Sequence, residues 1–251
     1  MISKDLAQTL SQEGYGVIPP DQYRTDMEKD FLFLWEQVRS YTMTSIERSY
    51  NLYTAVKYVV ENSVPGDLVE CGVWKGGSCM LMARTLLALG ATDRNIYLYD
   101  TFNGMTEPSD EDVIAWNGKP VKEKWEADRQ GKSQNFTSWA VSLTTVKRNM
   151  ESTGYPPENI FYIAGDVRDT LRTLRHDRIA CLRLDTDWYD TTALELERLY
   201  PHLVPGGVLI LDDYGHFKGA RKAVDDYFDT LSRRPFLSRI DYTGRICVKI
   251  G

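Results

Sequence analysis

Apolar residues in this chain gather in five short runs separated by longer amphipathic stretches. Residues 67–73 (DLVECGV), 95–100 (NIYLYD), 160–164 (IFYIA), 179–185 (IACLRLD) and 207–212 (GVLILD) are rich in β-branched and aromatic side chains, and each ends at or beside Gly or Asp. Runs of this length without strict alternation predict strands buried on both faces of a parallel sheet. The stretches between them carry apolar residues at helical spacing. Ser78–Leu89 (SCMLMARTLLAL) stops at Gly90, and Thr191–Leu203 follows Asp190 and stops before Pro205-Gly206-Gly207, the usual punctuation of helix ends. Strand, helix, strand at this interval predicts an open, doubly wound α/β sheet, whose ligands collect beyond the carboxyl ends of its strands. The C-terminal FLSRIDYTGRICVKI adds two strands joined at Thr243-Gly244,.

Two segments fall outside that rhythm. Residues 1–63 are helical in pattern, with Phe31, Leu34, Trp35 and Val38 on one apolar face and Tyr50, Leu52, Tyr53, Val56 and Val59 on another. They are expected to form a helical cap or subunit contact ahead of a ligand-binding domain over 64–251,. Residues 104–140 are polar, hold three of the six tryptophans (Trp116, Trp125, Trp139), and are too long for a simple connection. A lid over the site is the sharper reading and a solvated surface excursion the plainer one.

Composition narrows the partners. The chain has 251 residues, 42% hydrophobic and 26% charged, within the range of a folded domain with a sizeable core. Thirty Lys and Arg against 36 Asp and Glu leave a net charge of −6, and without a dense basic block nucleic acid is not an expected partner. Cys71, Cys79, Cys181 and Cys247 are scattered without a CxxC spacing, so they read as buried thiols rather than zinc ligands. The N-terminal MISKDLAQTLSQEG lacks the apolar core of a signal peptide, and no later run reaches membrane length. A cytoplasmic location and no membrane partner are the expectations.

The first strand leads into Glu70-Cys71-Gly72-Val73-Trp74-Lys75-Gly76-Gly77-Ser78. Gly72 admits a close backbone approach, and Gly76-Gly77 bring the free N–H groups of a helix start to the same place. The spacing is not GxGxxG, and Trp74 stands where a pyrophosphate would press, which weighs against a nicotinamide dehydrogenase. Asp100 ends the second strand at the interval from which an acid reaches ribose hydroxyls,. Together these features suit an adenosine ligand. Gly165-Asp166 repeats the pattern after the third strand, and Asp166 could meet an adenine amino group or simply cap the next helix.

The strongest signal is acidic. LRLDTDWYDTT supplies Asp185 and Asp187, and LILDDYGHF supplies Asp212 and Asp213. Adjacent parallel strands would bring Asp185, Asp212 and Asp213 to one rim, where three carboxylates cannot all stay ionised without a cation. Oxygen donors without Cys or His select Mg²⁺, Mn²⁺ or Ca²⁺. His216 follows in YGHF as a base or substrate-holding group, or as neither. No G-x-S-x-G, Walker or HExxH motif occurs, so hydrolase, P-loop and zincin chemistry lack their defining residues.

VECGVWKGGS, YLYDTFNGM, LRLDTDWYDTT and PGGVLILDDYGHFKGARKAVDDYF together resemble the macrocin O-methyltransferase (TylF-type) family, S-adenosylmethionine-dependent enzymes that methylate sugar hydroxyls on antibiotics. The resemblance runs from about Glu47 to the C-terminus. It implies a class I methyltransferase fold, Rossmann-like, with seven strands and an antiparallel C-terminal strand. It implies S-adenosylmethionine over Glu70, Cys71, Gly72, Val73, Gly76 and Ser78, over Asp100, Thr101 and Phe102, and beside Gly165, Asp166 and Asp185. It places Mg²⁺ on Asp185, Asp212 and Asp213, with Asp185, or failing it Asp187, as the catalytic base. A glycosylated small-molecule acceptor and a homodimer built through the N-terminal helices follow from the same likeness. A catechol-type methyltransferase and a non-catalytic adenosine and metal-binding module are the alternatives.

Overall fold

The computed structural model describes all residues except 1–3, 17–19, 133–135, 137–138 and 174–175. Five parallel strands form its centre: β1 (Asp67–Cys71), β2 (Ile96–Asp100), β3 (Ile160–Ala164), β4 (Ile179–Leu184) and β5 (Leu203–Leu211). A hairpin of β6 (Ser238–Arg239) and β7 (Arg245–Val248) adds two more, β7 running antiparallel to β5. The order across the sheet is β3-β2-β1-β4-β5-β7-β6. Chain connections leave β1 and β4 in opposite directions, so the crevice between their carboxyl ends is the position where open α/β sheets bind ligands. Among the described residues, four α-helices precede the sheet: α1 (Lys4–Gln12), the one-turn α2 (Pro20–Tyr23), α3 (Lys29–Val38) and α4 (Ile46–Glu61). Later come α5 (Gly77–Ala88), α6 (Lys122–Arg129), α7 (Leu143–Glu151), the short α8 (Val167–Thr170), α9 (Tyr189–Leu199) and α10 (Lys218–Asp229).

Alternation along the strands divides the core. Leu68, Ile96, Leu98, Cys181, Val208 and Ile210 face α3, α4 and α5, while Val69, Tyr99, Leu182, Leu184, Leu209 and Leu211 face α9 and α10, as a side-chain period of two requires. The apolar faces expected on α3 and α4 are buried in the first of these layers through Phe31, Leu34, Trp35, Val38, Leu52, Tyr53, Val56 and Val59. Each such side chain contributes roughly 1.5–3 kcal/mol on leaving water. Residues 29–61 therefore share one core with the sheet. Ser45 starts α4 by accepting the Arg48 amide at 3.1 Å, which sets the direction in which Arg48 leaves the helix.

Residues 104–140 carry a small core of their own. Ile114, Val121 and Phe136 close on Trp188 and Phe217, with Met105, Trp125 and Trp139 packed around them. Only Trp116 of the three tryptophans is exposed, at 62%. The segment is pinned by bridges between Val113 and Pro120 and between Ile114 and Phe217. Its Asp112, 1% exposed, accepts the Tyr189 amide at 2.8 Å and the Ser109 amide at 2.7 Å. A Cβ on Gly219 would lie 1.8 Å from Asp112 Oδ1, so glycine at the start of α10 is what lets this acid dock. All four cysteines are free and buried. Among the described residues no helix is long and apolar enough to cross a membrane.

Candidate active site

A cleft of about 300 Å³ opens at the β1/β4 crevice, at the lower end of small-molecule sites. Local backbone strain marks its edges: Trp74 (φ 50°) follows β1, Phe102 (φ 50°) follows β2 and Asp187 (φ 68°) follows β4. Non-glycine residues adopt such angles only where their surroundings hold them, commonly at functional sites. Gly72 has φ 84°, and a Cβ there would meet the Asp185 carbonyl oxygen at 1.9 Å. The end of β1 thus lies flush against the turn that carries Asp185 and Asp187.

One half of the cleft is formed by Glu70, Gly72, Ser78, Asp100, Thr101 and Gly165. Asp100 Oδ2 accepts the amides of Val73 (2.6 Å) and Trp74 (3.2 Å), and Oδ1 accepts the Phe102 amide at 2.7 Å. The carboxylate clasps the two strand-end turns and keeps lone pairs for a hydroxyl-bearing ligand. Gly76 begins α5 without a side-chain cap, leaving first-turn N–H groups suited to an anionic group. Of the other residues expected here, Val73 also lines the cleft, whereas Cys71, Gly76, Phe102 and Asp166 do not. Asp166 instead caps α8 through the Arg168 amide at 2.9 Å and pairs with the Arg168 guanidinium at 2.6 Å.

The other half is a network of buried charge. Arg183, on β4 and 2% exposed, bonds Glu70, Asp212 and Asp185, the last at 2.7 Å. Arg48 bonds Asp212 and reaches Asp241 at 3.0 Å. Thr44 donates to Asp212 at 3.2 Å and Ser45 to Asp241 at 2.7 Å. Burial opposes a charge on Arg183, but Asp185, Asp212 and Glu70 outweigh it and hold the guanidinium protonated. Asp212 is therefore turned toward two arginines. The carboxylate oxygens that converge within 4.8 Å of one another belong to Asp185, Asp187 and Asp213.

This trio has the character of a cation site. Asp213 Oδ2 is buried without a hydrogen-bond partner among the described residues. Burial, then the neighbouring carboxylates, push Asp187 and Asp213 well above the usual carboxylate range. Burial and Asp212 do the same to Asp185 against the pull of Arg183. Three oxygen donors with a shortage of positive charge fit a hard divalent ion. His216 lines the cleft, with its Nδ1 3.2 Å from the Tyr242 hydroxyl. Burial and Arg48 hold its imidazole below the ordinary range, so it stays neutral at neutral pH.

Sequence reasoning passed over Arg183, Arg48 and Glu195. An arginine inside the apolar run IACLRLD was a signal for the first; the other two depend on tertiary contacts. Glu195, fully buried on α9, accepts a hydrogen bond from Thr186 Oγ1 at 3.0 Å, and its Oε1 has no nitrogen or oxygen hydrogen-bond partner among the described residues. Burial drives its carboxyl well above the usual glutamate range, against the Thr186 hydrogen bond. The folded state keeps a proton that the unfolded chain releases, so stability falls as pH rises above the unfolded value. Glu195→Gln should therefore gain Tm over the wild type as pH is raised from about 5 to about 8. An identical Tm difference at both pH values in calorimetry would contradict a protonated Glu195.

Seven strands in this order, helices on both faces and a cleft joining a strand-end acid to a carboxylate trio define a class I methyltransferase. The family model for macrocin-O-methyltransferase (TylF) matches residues 22–248, and the chain belongs to that family of S-adenosylmethionine-dependent O-methyltransferases. It is 36% identical over 211 residues to 8-demethyl-8-(2,3-dimethoxy-alpha-L-rhamnosyl)-tetracenomycin-C 4'-O-methyltransferase of Streptomyces olivaceus, covering 84% of this chain and 76% of that one. It is 32% identical over 205 residues to mycinamicin III 3''-O-methyltransferase of Micromonospora griseorubida, covering 82% and 77%. The solved structure of the O-methyltransferase NovP superposes with a TM-score of 0.72 at 34% identity, covering 84% of this chain and 83% of that one.

Proposed function

We propose that this enzyme methylates a sugar hydroxyl of a glycosylated small molecule, using S-adenosylmethionine as donor and a divalent cation, Mg²⁺ for preference, held by Asp185, Asp187 and Asp213. The observation that carries the reading is the convergence of those three carboxylates beside the cleft lined by Gly72 and Asp100. The relatives of Streptomyces and Micromonospora, whose names specify rhamnosyl and 3''-hydroxyl methylation, support the acceptor class. Asp100 and the α5 start orient the donor, and residues 104–140 act as the lid that excludes water. Exposed Phe33 on α3, at 70%, supports a homodimer through the N-terminal helices.

Transfer breaks a carbon–sulfur bond and forms a carbon–oxygen bond in line, so the protein must align an oxygen and remove its proton. A divalent ion at the trio supplies Lewis acidity, of the kind that lowers the pKa of bound water from 15.7 to about 7. Asp185 is paired with Arg183 at 2.7 Å. Asp187 has no arginine partner among the described residues, which leaves its carboxylate the better placed of the two to accept the hydroxyl proton. S-Adenosylhomocysteine and the methyl ether then leave. The test is methyl transfer from labelled donor to paired acceptors, a rhamnoside and a catechol, with product linkage read by NMR. Methylation of the rhamnoside is expected; methylation of the catechol alone would assign the protein to the aromatic diol class.

A further inference from the structure

Beside the reaction cleft lies a groove of about 540 Å³, lined by Tyr214, Lys218, Arg221, Lys222 and Arg245. Positive charge gathers there although the chain carries a net charge of −6, and its placement is unfavourable for folding. Lys218 and Arg221 stand in the first turn of α10, which holds no acidic residue, so their charges face the positive end of the helix dipole. Arg245, at the start of β7, joins them from a second segment. The Arg221 and Arg245 guanidinium carbons lie 5.4 and 4.8 Å from the centre of the Tyr214 ring.

The acids of the groove are already engaged. Asp225 accepts hydrogen bonds from Arg234 at 2.6 Å and from the Tyr214 hydroxyl at 2.9 Å. Asp110 points into solvent 3.6 Å from Lys122, and Glu111 lies 3.9 Å from Lys222, whose ammonium bonds Asp226 at 3.0 Å. Three cations are left over. The Lys218 ammonium has no ion-pair or hydrogen-bond partner among the described residues. Arg221 approaches Asp225 only to 3.6 Å, and Arg245 donates to the Gly244 carbonyl at 2.8 Å rather than to a carboxylate. Burial first, then the charges of Arg239 and Arg221, lower the proton affinity of Arg245 below the usual arginine level. An anion held there relieves that crowding, and two guanidinium groups with an ammonium match the several oxygens of a phosphoryl group.

The groove and the cleft share two walls. Gly215 and Lys218 line the groove, while His216 and Phe217 between them line the cleft; Arg245 lies just beyond Tyr242 and Thr243, which line the cleft as well. The partition is thin because residue 215 is glycine. Its amide donates to the Thr243 carbonyl at 2.9 Å, and a Cβ there would meet the Tyr242 carbonyl oxygen at 1.9 Å. We propose that Lys218, Arg221 and Arg245 bind a phosphoryl group carried by the acceptor whose sugar enters the cleft. The cation at the carboxylate trio serves the reacting hydroxyl and the groove serves the phosphoryl group, so a glycosyl phosphate or diphosphate is the acceptor class. Free phosphate offers the same oxygens, and the experiment distinguishes the two sources.

The link to the acceptor rests on the glycoside reading above; phosphoryl binding by the groove does not. Pyrophosphate is first titrated calorimetrically into the protein in EDTA, where no cation at the trio can hold it. Saturable binding with a Kd below about 1 mM is expected. It should weaken about tenfold in Lys218→Gln/Arg221→Gln, both at exposed positions, and persist in Arg172→Gln/Arg198→Gln, which removes the same charge from exposed side chains elsewhere. Methyl transfer at saturating Mg²⁺ is then compared for methyl α-L-rhamnoside, α-L-rhamnose 1-phosphate and a nucleoside-diphosphate rhamnose. Wild-type kcat/KM should favour a phosphorylated acceptor over the methyl glycoside by about tenfold, mainly through KM, and the groove variant should lose that preference while keeping its rate on the methyl glycoside. No pyrophosphate binding, or equal weakening in both double variants, would overturn the site. Binding lost with the groove cations but equal kcat/KM for all three acceptors would assign the groove to free phosphate and overturn the link to the acceptor, leaving glycoside methylation standing. Turnover of none of the three would overturn the glycoside reading and that link together, with the pyrophosphate titration still deciding the site.

Discussion

Asp213→Asn should lower kcat by about 10²–10³-fold, the range seen when one preorganised electrostatic group is removed from an active site, while leaving affinity for S-adenosylhomocysteine unchanged. The two effects separate because Asp213 belongs to the carboxylate trio, whereas Asp100, Gly72 and Ser78 form the opposite half of the cleft. Stability should not fall. Asp213 Oδ2 has no hydrogen-bond partner among the described residues and its charge is opposed by burial and by Asp187, so a neutral amide of the same shape relieves repulsion. Turnover retained within a few-fold, or cofactor affinity lost together with turnover, would contradict this division of the site.

Arg183→Met should cost about 3–5 kcal/mol of stability, the range for removing one partner of a buried ion network. Nearly the whole side chain is enclosed, and it bonds Glu70, Asp185 and Asp212 at once. Its loss leaves Glu70, 1% exposed, without a cation. For a chain of this size that corresponds to a fall in Tm of about 6–20 °C. Adding Glu70→Gln to Arg183→Met should recover part of the loss, since the uncompensated charge is then removed as well. A single variant that melts with the wild type in scanning calorimetry would show that the network is not a stabilising element. Arg48→Met should be milder, because Asp212 keeps Arg183 and Asp241 keeps Ser45 and two backbone amides.

The five central strands and the helices on α3, α4, α5 and α9 were legible because buried parallel strands and amphipathic helices write their periods directly into the chain. The hairpin at Thr243-Gly244 was legible for the same reason. Less accessible was which of four strand-end acids converge. Asp185 and Asp213 were expected together and are together, but the expected third member, Asp212, bonds Arg48 and Arg183, and Asp187 closes the trio. That choice depends on Arg48, which lies 164 residues from Asp212 along the chain, and on the left-handed backbone at Asp187. Neither leaves a local signature. Asp166 shows the opposite limit: a helix cap and a ligand contact share one sequence pattern, and the structure places this side chain at the α8 start with Arg168. In residues 104–140 the tryptophans suggested surface, yet Trp125 and Trp139 pack against the cluster that contains Trp188. Only the partners across the fold distinguish them from Trp116.

The most direct test is the initial rate of methyl transfer to a rhamnoside by the wild-type enzyme, stripped with EDTA and then titrated with Mg²⁺, beside the same titration of Asp213→Asn. The account predicts that chelation abolishes wild-type turnover, that Mg²⁺ restores it along a saturating curve, and that the variant stays about a hundredfold or more below the wild type at every Mg²⁺ concentration. Full wild-type turnover in excess EDTA would contradict the assignment of Asp185, Asp187 and Asp213 as a cation site.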